Sequence, residues 1–319
     1  MKYFIGVEIG VAQIGVGIVD KYGRLINKEK HPNSSGRHYT EIIGEVASIA
    51  NSLLEKDGID IRDVKYIGVG CPGIPNDKEG IIVRNYTLNF HHTPIRAELQ
   101  KYFKLPVHIE NDANCAALAE SVAGAAEDID YSITIRIGTG IGGGIIINNN
   151  IYNGFNFAGA ELGHMVIAMG GEECTCGRKG CWEAYASAPA LIRQTKAAAQ
   201  KHPSSLMNQI VGGDLSKIDE FTAFEARKLG DATAREVTDK YLEYLAEGIT
   251  NIIDILMPAA VILGGPITKL GECFLKPLRE LVNEKVYAKD VIQPEFKIAE
   301  ISGASVMIGA AMLGLYRNR

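Results

Sequence analysis

The chain has 319 residues, with 33 basic against 38 acidic side chains and a formal charge of −5, a sign that disfavours nucleic acid as a partner. Its 46% hydrophobic and 22% charged residues exclude a disordered or collagen-like chain, and at about 150 residues per domain the length argues for two domains. No stretch reaches the ~20 apolar residues of a membrane helix, so no membrane partner is expected.

The N-terminal segment is apolar, but Glu8 interrupts it and no small-residue cleavage site follows, so it reads as strand, turn and strand, not as an export signal. A cytoplasmic location follows, where clustered cysteines point to metal more than to disulfides. In chain order, residues 3–8, 14–19 and 24–28 predict three short strands joined by glycine-containing turns. Residues 39–56 predict a helix, 64–70 and 107–110 strands, and 112–126 a second helix. Residues 132–137, 144–147 and the region of Ile151 repeat the opening three-strand scheme, which suggests two related α/β lobes. Apolar residues at Tyr241, Leu245, Ile249, Ile252 and Leu256 predict a helix over 237–257 that Pro258 ends. A buried strand over 260–263 then runs into Gly264-Gly265-Pro266, and residues 304–316 predict a closing helix.

Glycine is in excess, 35 residues or about 11% against a usual ~7%, and much of it falls in Gly138-Thr-Gly-Ile-Gly-Gly-Gly144. Gly138, Gly140 and Gly143 carry the spacing of a dinucleotide fingerprint, but a strand and a turn follow where that fingerprint needs a helix. Two readings then stand: a structural hairpin turn, or a hairpin whose bare backbone N–H groups approach a nucleotide phosphate.

Asn111 and Asp112 stand where a strand passes into an alanine-rich helix. One of them is a natural N-cap. Alternatively, Asp112 at the carboxyl end of a strand in an α/β crevice is a general base that takes a proton from a hydroxyl, with Asn111 holding the substrate.

Cys174, Cys176 and Cys181 follow His164 closely, and three thiolates with one imidazole make a closed tetrahedral zinc site. A closed site leaves no open coordination position, so this zinc is expected to be structural, fixing Glu161, His164 and Glu183 on one wall of a pocket. Cys71, Cys115 and Cys273 are left as buried thiols without assigned chemistry.

Taken together, CPG at 71–73, ENDAN at 110–114, GTGIGGG at 138–144, AGAELGH at 158–164, CTCGRKGCWE at 174–183 and ILGGP at 262–266 resemble the ROK family of sugar kinases and repressors, from end to end. The resemblance implies an α/β, two-lobed actin/hexokinase-like (ribonuclease H-like) fold with a structural zinc site. Residues 1–115 plus 304–319 would form the smaller lobe, and 116–303 the larger lobe with the zinc site and the adenosine turn. The implied activity is ATP-dependent phosphorylation of a hexose hydroxyl, with Mg²⁺ as co-substrate, Zn²⁺ as structural ion and a homodimer as the usual assembly. By this resemblance Asp112 is the base, and Gly73, Thr87, Asn111, Asp112 itself, Glu161, His164 and Glu183 hold the sugar. One ring nitrogen of His164 would face zinc and the other the sugar. The nucleotide falls to Glu8, Gly10 and Ala12, to Gly138, Thr139, Gly140, Gly142 and Gly143, and to Gly264 and Gly265. The metal falls to His164, Cys174, Cys176 and Cys181. Family repressors carry an N-terminal DNA-binding segment, for which the strand starting at Tyr3 leaves no room, so the kinase branch is expected.

The family's first phosphate motif, D-x-G-G-T, reads here Glu8-Ile-Gly-Val-Ala12. A hydroxyl is lost at Ala12, and a hydrogen bond to a charged group is worth about 1.5–3 kcal/mol, so ATP handling is expected to suffer roughly ten- to a hundredfold. A glucokinase-like enzyme is the leading expectation; the alternatives are a sugar-binding sensor or regulator with little turnover, and a kinase of N-acetylmannosamine or N-acetylglucosamine.

Overall fold

The computed structural model describes residues 2–316. It opens with three antiparallel strands, β1 (Tyr3–Ile9), β2 (Gln13–Asp20) and β3 (Leu25–Pro32), in which Ile9 pairs with Ile14 and Val16 with Glu29. Helix α1 (Tyr39–Lys56) buries Ile42, Val46, Ile49 and Leu53 along one face. Strand β4 (Val64–Cys71) then lies parallel to β1.

A small antiparallel sheet follows that the sequence reading missed: β5 (Ile74–Asn76), β6 (Ile81–Asn85) and β7 (Phe90–Thr93). Strands of three to five residues show too few alternations to be read by period. After α2 (Ile95–Leu99), β8 (Val107–Asn111) pairs parallel with β4, and α3 (Asp112–Ala123) leaves its end. Helix α3 stops at Ala123 instead of the expected residue 126, because Gly124 takes an extended conformation as its C-cap.

The second sheet begins with β9 (Tyr131–Ile137), β10 (Ile141–Ile147) and β11 (Asn150–Tyr152). Helices α4 (Glu183–Ala186), α5 (Ala188–Lys201), α6 (Leu206–Ile210), α7 (Thr222–Lys228) and α8 (Ala232–Leu256) precede β12 (Ala260–Gly264). Helix α9 (Glu272–Lys285), β13 (Glu295–Ile298) and α10 (Ser305–Tyr316) complete the chain. The first large sheet has the order β3-β2-β1-β4-β8 and the second β11-β10-β9-β12-β13. The same relative order recurs, so the repeated three-strand start is a repeated sheet topology.

Two boundaries differ from the sequence reading for physical reasons. Helix α8 starts five residues before 237, at Ala232, where the Asp231 side chain accepts the Ala234 N–H as N-cap. Strand β10 starts at Ile141, not at residue 144, so Gly142 and Gly143 are strand residues. Gly144 serves close packing: a Cβ there would stand 2.4 Å from Cβ of Ala117 on α3.

The chain divides into two compact units, one of Met1–Thr134, Gly143–Ala160 and Ala299–Arg319, the other of Ile135–Gly142 and Glu161–Ile298. In the first, the sheet is buried on both faces, under α1 and α2 on one side and under α3 and α10 on the other. Helix α10 lies directly on the sheet: a Cβ at Gly6 or Gly68 would stand 1.8 Å from the carbonyl oxygens of Met307 and Ala310. In the second, α8 packs against α9, α7 and α5. Among the described residues no helix is long and apolar enough to cross a membrane.

Candidate functional site

In the first unit the sites converge on the end of β8. Asn111 is the N-cap of α3, its Oδ1 accepting from the N–H groups of Ala113 at 2.8 Å and Asn114 at 3.4 Å. The capping role therefore falls to Asn111, and Asp112 is left as the first residue of the helix. The Nδ2 of Asn111 donates to the Gly73 carbonyl at 3.1 Å. Gly73 has φ of +97°, and a Cβ there would lie 2.3 Å from the Arg84 carbonyl oxygen, so glycine is required.

Asn85, which the sequence reading passed over, holds the same turn from the other side. Its Nδ2 donates to the Pro72 carbonyl at 2.7 Å, and its Oδ1 accepts from Leu88 N–H at 2.7 Å. Thr87 sits exposed in the turn that Asn85 organises. Cys71 is buried beside Asp112, and burial, with the neighbouring carboxylate adding to it, pushes its thiol well above the usual range.

The first loop closes despite its altered sequence. Gly10 N–H donates to the Gln13 carbonyl at 2.9 Å, while Asn33 donates from Nδ2 to the Gly10 carbonyl at 2.6 Å and from its N–H to that of Ala12 at 2.8 Å. Neither Val11 nor Ala12 has a positive φ, so the missing glycine imposes no backbone strain here. What the loop lacks is the hydroxyl. The Glu8 carboxylate accepts from Gln13 Nε2 and pairs with Lys30 Nζ, each at 3.2 Å.

In the second unit the loop at 138–140 is held from three sides. Ala188 N–H, at the start of α5, donates to the Gly138 carbonyl at 2.9 Å. Glu183 Oε2 accepts from Ile141 N–H at 3.0 Å, and a Cβ on Gly140 would stand 2.2 Å from that oxygen. The Gly264-Gly265 turn lies against the base of the same loop, since a Cβ on Gly265, at φ +107°, would be 1.9 Å from the Ile137 carbonyl oxygen. Thr139 is exposed at the tip. Loop, turn and Glu183 therefore meet in one place.

The segment Glu161-Leu-Gly-His164 packs under β10, with Gly163 leaving room for the Ile141 carbonyl 2.2 Å from where a Cβ would be. The donor atoms of His164, Cys174, Cys176 and Cys181 all lie within 4.8 Å of one another. The Cys174 Sγ to His164 Nδ1 distance is 3.6 Å and the Cys176 to Cys181 Sγ distance is 3.7 Å. Zinc bonds of about 2.3 Å to sulfur in a tetrahedron give edges of roughly 3.8 Å, so the four residues fit such an ion. Burial, with the neighbouring Cys176 and Cys174 thiols adding to it, pushes the Cys181 thiol up to about 12. The Nδ1 of His164 faces the thiols, which leaves Nε2 for another partner.

Trp182 anchors this knuckle in the unit's core. It is wholly buried and donates from Nε1 to the Tyr244 carbonyl at 2.8 Å. Gly248 on α8 makes the room, because a Cβ there would meet the indole at 2.1 Å. Gly248→Ala is expected to cost about 1–3 kcal/mol by overpacking, read as a lowered Tm in calorimetry. An unchanged Tm would show that α8 and the indole part freely. Cys273, expected to be buried, is exposed: it lies in the first turn of α9 beside the buried Phe274 and Leu275, and its Sγ donates to the Leu270 carbonyl at 2.8 Å.

Two repeated sheets of ribonuclease H-like order, a carboxylate at a strand-to-helix junction and a glycine hairpin form the pattern of the actin/hexokinase-like class. The chain matches the ROK family over residues 4–316, and it belongs to that family. It is 34% identical to the glucokinase of Thermotoga maritima over 314 residues, 97% of this chain and 95% of that one. It is 27% identical to the xylose repressor of Caldicellulosiruptor bescii, covering 96% of this chain and 76% of the repressor. Among solved structures, the ROK glucokinase of Streptomyces griseus in complex with glucose and AMPPNP superposes with a TM-score of 0.81 at 30% identity, covering 99% of this chain and 100% of that one.

Proposed function

We propose that the protein is an ATP-dependent hexose kinase that phosphorylates glucose at its 6-hydroxyl. The observation that carries this reading is Asp112, a carboxylate at the end of β8 in the first turn of α3, with the cap supplied by its neighbour Asn111. In the reaction Asp112 takes the proton of the sugar hydroxyl as its oxygen attacks the γ-phosphorus in line and ADP leaves. ATP arrives as its magnesium complex, which is part of the substrate. Gly73, Thr87, Asn111, Glu161, His164 and Glu183 are assigned to the sugar by the resemblance to the family's motifs.

The 138–142 segment offers backbone N–H groups to phosphate, and the Gly264-Gly265 turn receives the adenosine. Placing those donors where charge develops is the main contribution a protein makes to phosphoryl transfer. The Cys₃His cluster holds zinc, which closes the 164–181 segment and does no chemistry on the substrate. Glucose is favoured over other hexoses by the Thermotoga maritima and Streptomyces griseus glucokinases to which the chain is similar.

A second reading, a sugar sensor with little turnover, is favoured by Ala12 in the first loop and by the similarity to xylose repressors. A coupled assay of ADP release across hexoses and N-acetylhexosamines separates the two. Turnover fastest with glucose is expected; sugar binding by calorimetry with no ADP release from any sugar would overturn the kinase reading.

A further inference from the structure

Glu110 is a wholly buried carboxylate, 0% exposed, two residues before Asp112. Its oxygens serve different segments. Oε1 accepts from Asn111 N–H at 2.8 Å and from Asn114 Nδ2 at 3.2 Å, both at the β8–α3 junction. Oε2 accepts from Asn153 Nδ2 at 2.9 Å, 43 residues along the chain.

Asn153 opens the loop 153–160, all of which lies in the same unit as Glu110. The loop closes through a bond from Gly159 N–H to the Asn153 carbonyl at 2.9 Å. Within it Phe157 and Ala160 stand at φ of +65° and +64°, a region that residues with side chains keep only when their surroundings hold them there. Ala160 runs directly into Glu161 and, three residues later, His164. A leucine at position 110 would fill the same space without desolvating a charge. What the carboxylate adds is acceptors aimed at two separate segments.

We propose that Glu110 is a positioning residue that fastens the seat of Asp112 and the strained loop 153–160 into one arrangement. The proposal rests on the reading of Asp112 as the base. Its oxygens divide the work, so the two ends of the link can be broken and remade separately.

Glu110→Gln keeps an oxygen toward Asn111 and Asn114 but sets an amide against the Asn153 amide, donor against donor. Asn153→Ala cuts the same link while leaving Glu110 in place. Adding Asn153→Asp to Glu110→Gln reverses donor and acceptor and restores the bond. Each single variant is expected to lower kcat about tenfold or more, since a shift of about 1 Å at a reacting group can cost ~10²-fold, with KM for ATP unchanged. The double variant is expected to recover kcat toward the parent value. Amide hydrogen exchange over 154–160 is expected to quicken in both single variants and to slow again in the double.

A destabilisation without a specific link would lower Tm but would not be rescued by the donor–acceptor swap. Exchange that stays at the parent rate in both single variants, or a double variant no better than Glu110→Gln, would overturn the proposal. Should the parent turn over no sugar, the reading of Asp112 fails, while hydrogen exchange still decides the link.

Discussion

Replacing Asp112 by Asn is expected to abolish phosphorylation while leaving sugar affinity nearly intact. The amide has almost the same size and can still hydrogen-bond a hydroxyl, but it cannot take the proton. A positioned general base contributes typically 10²–10⁴-fold, so kcat should fall by about that factor. The fold should tolerate the change, because the cap of α3 is the Asn111 side chain. Asp112 at the first helical position contributes about 0.3–1 kcal/mol through the helix dipole, a term that the neutral amide loses. Single-turnover kinetics and glucose calorimetry on the same preparation make the test. Retained turnover would remove Asp112 from the chemistry, and lost sugar binding would make it a substrate ligand first.

The second large effect is expected from the metal. Purified protein should carry one zinc per chain by elemental analysis, and Cys181→Ser should lose it. A structural zinc site is worth about 10–16 kcal/mol in small zinc-finger peptides. The gain here is expected to be smaller, since Trp182 and α8 already anchor one end of the knuckle.

The consequence for activity follows from the covalent order Cys181-Trp182-Glu183. Glu183 holds Ile141 N–H at 3.0 Å and sits against Gly140, so a knuckle that loosens lets go of the glycine loop. Chelation should therefore lower Tm and reduce turnover together, and added zinc should restore both. A metal-free preparation with full activity would show that the cysteines are unligated thiols.

The two expectations differ in how much of their basis lies in the sequence. The four candidate metal ligands are read from spacing alone, because a knuckle is local and its donors lie within eighteen residues of one another. Helices α1 and α8 and the paired strands β1 to β3 are legible for the same reason: a stripe of period 3.6 or an alternation of period 2 repeats within a few turns. The roles of Asn111 and Asp112 were narrowed only by the structure, since either can cap a helix and the choice depends on which side chain turns back to the Ala113 N–H.

What no local pattern shows is which distant groups share a hydrogen bond. Asn85 to Pro72, Glu183 to Ile141 and Asn153 to Glu110 join residues 13, 42 and 43 positions apart. These bonds exist because the chain, once its sheets are ordered, leaves particular donors buried beside particular acceptors, and a buried polar group must find a partner. The excess of glycine divides the same way. By itself the sequence determined the family, the repeated three-strand starts, helices such as α1 and α8, and which four residues could ligate a metal, each written in short-range spacing. Only the tertiary structure decided that Gly140 makes way for Glu183, Gly248 for Trp182 and Gly6 for α10, because the need for a missing Cβ is set by whatever chain passes within about 3 Å of it.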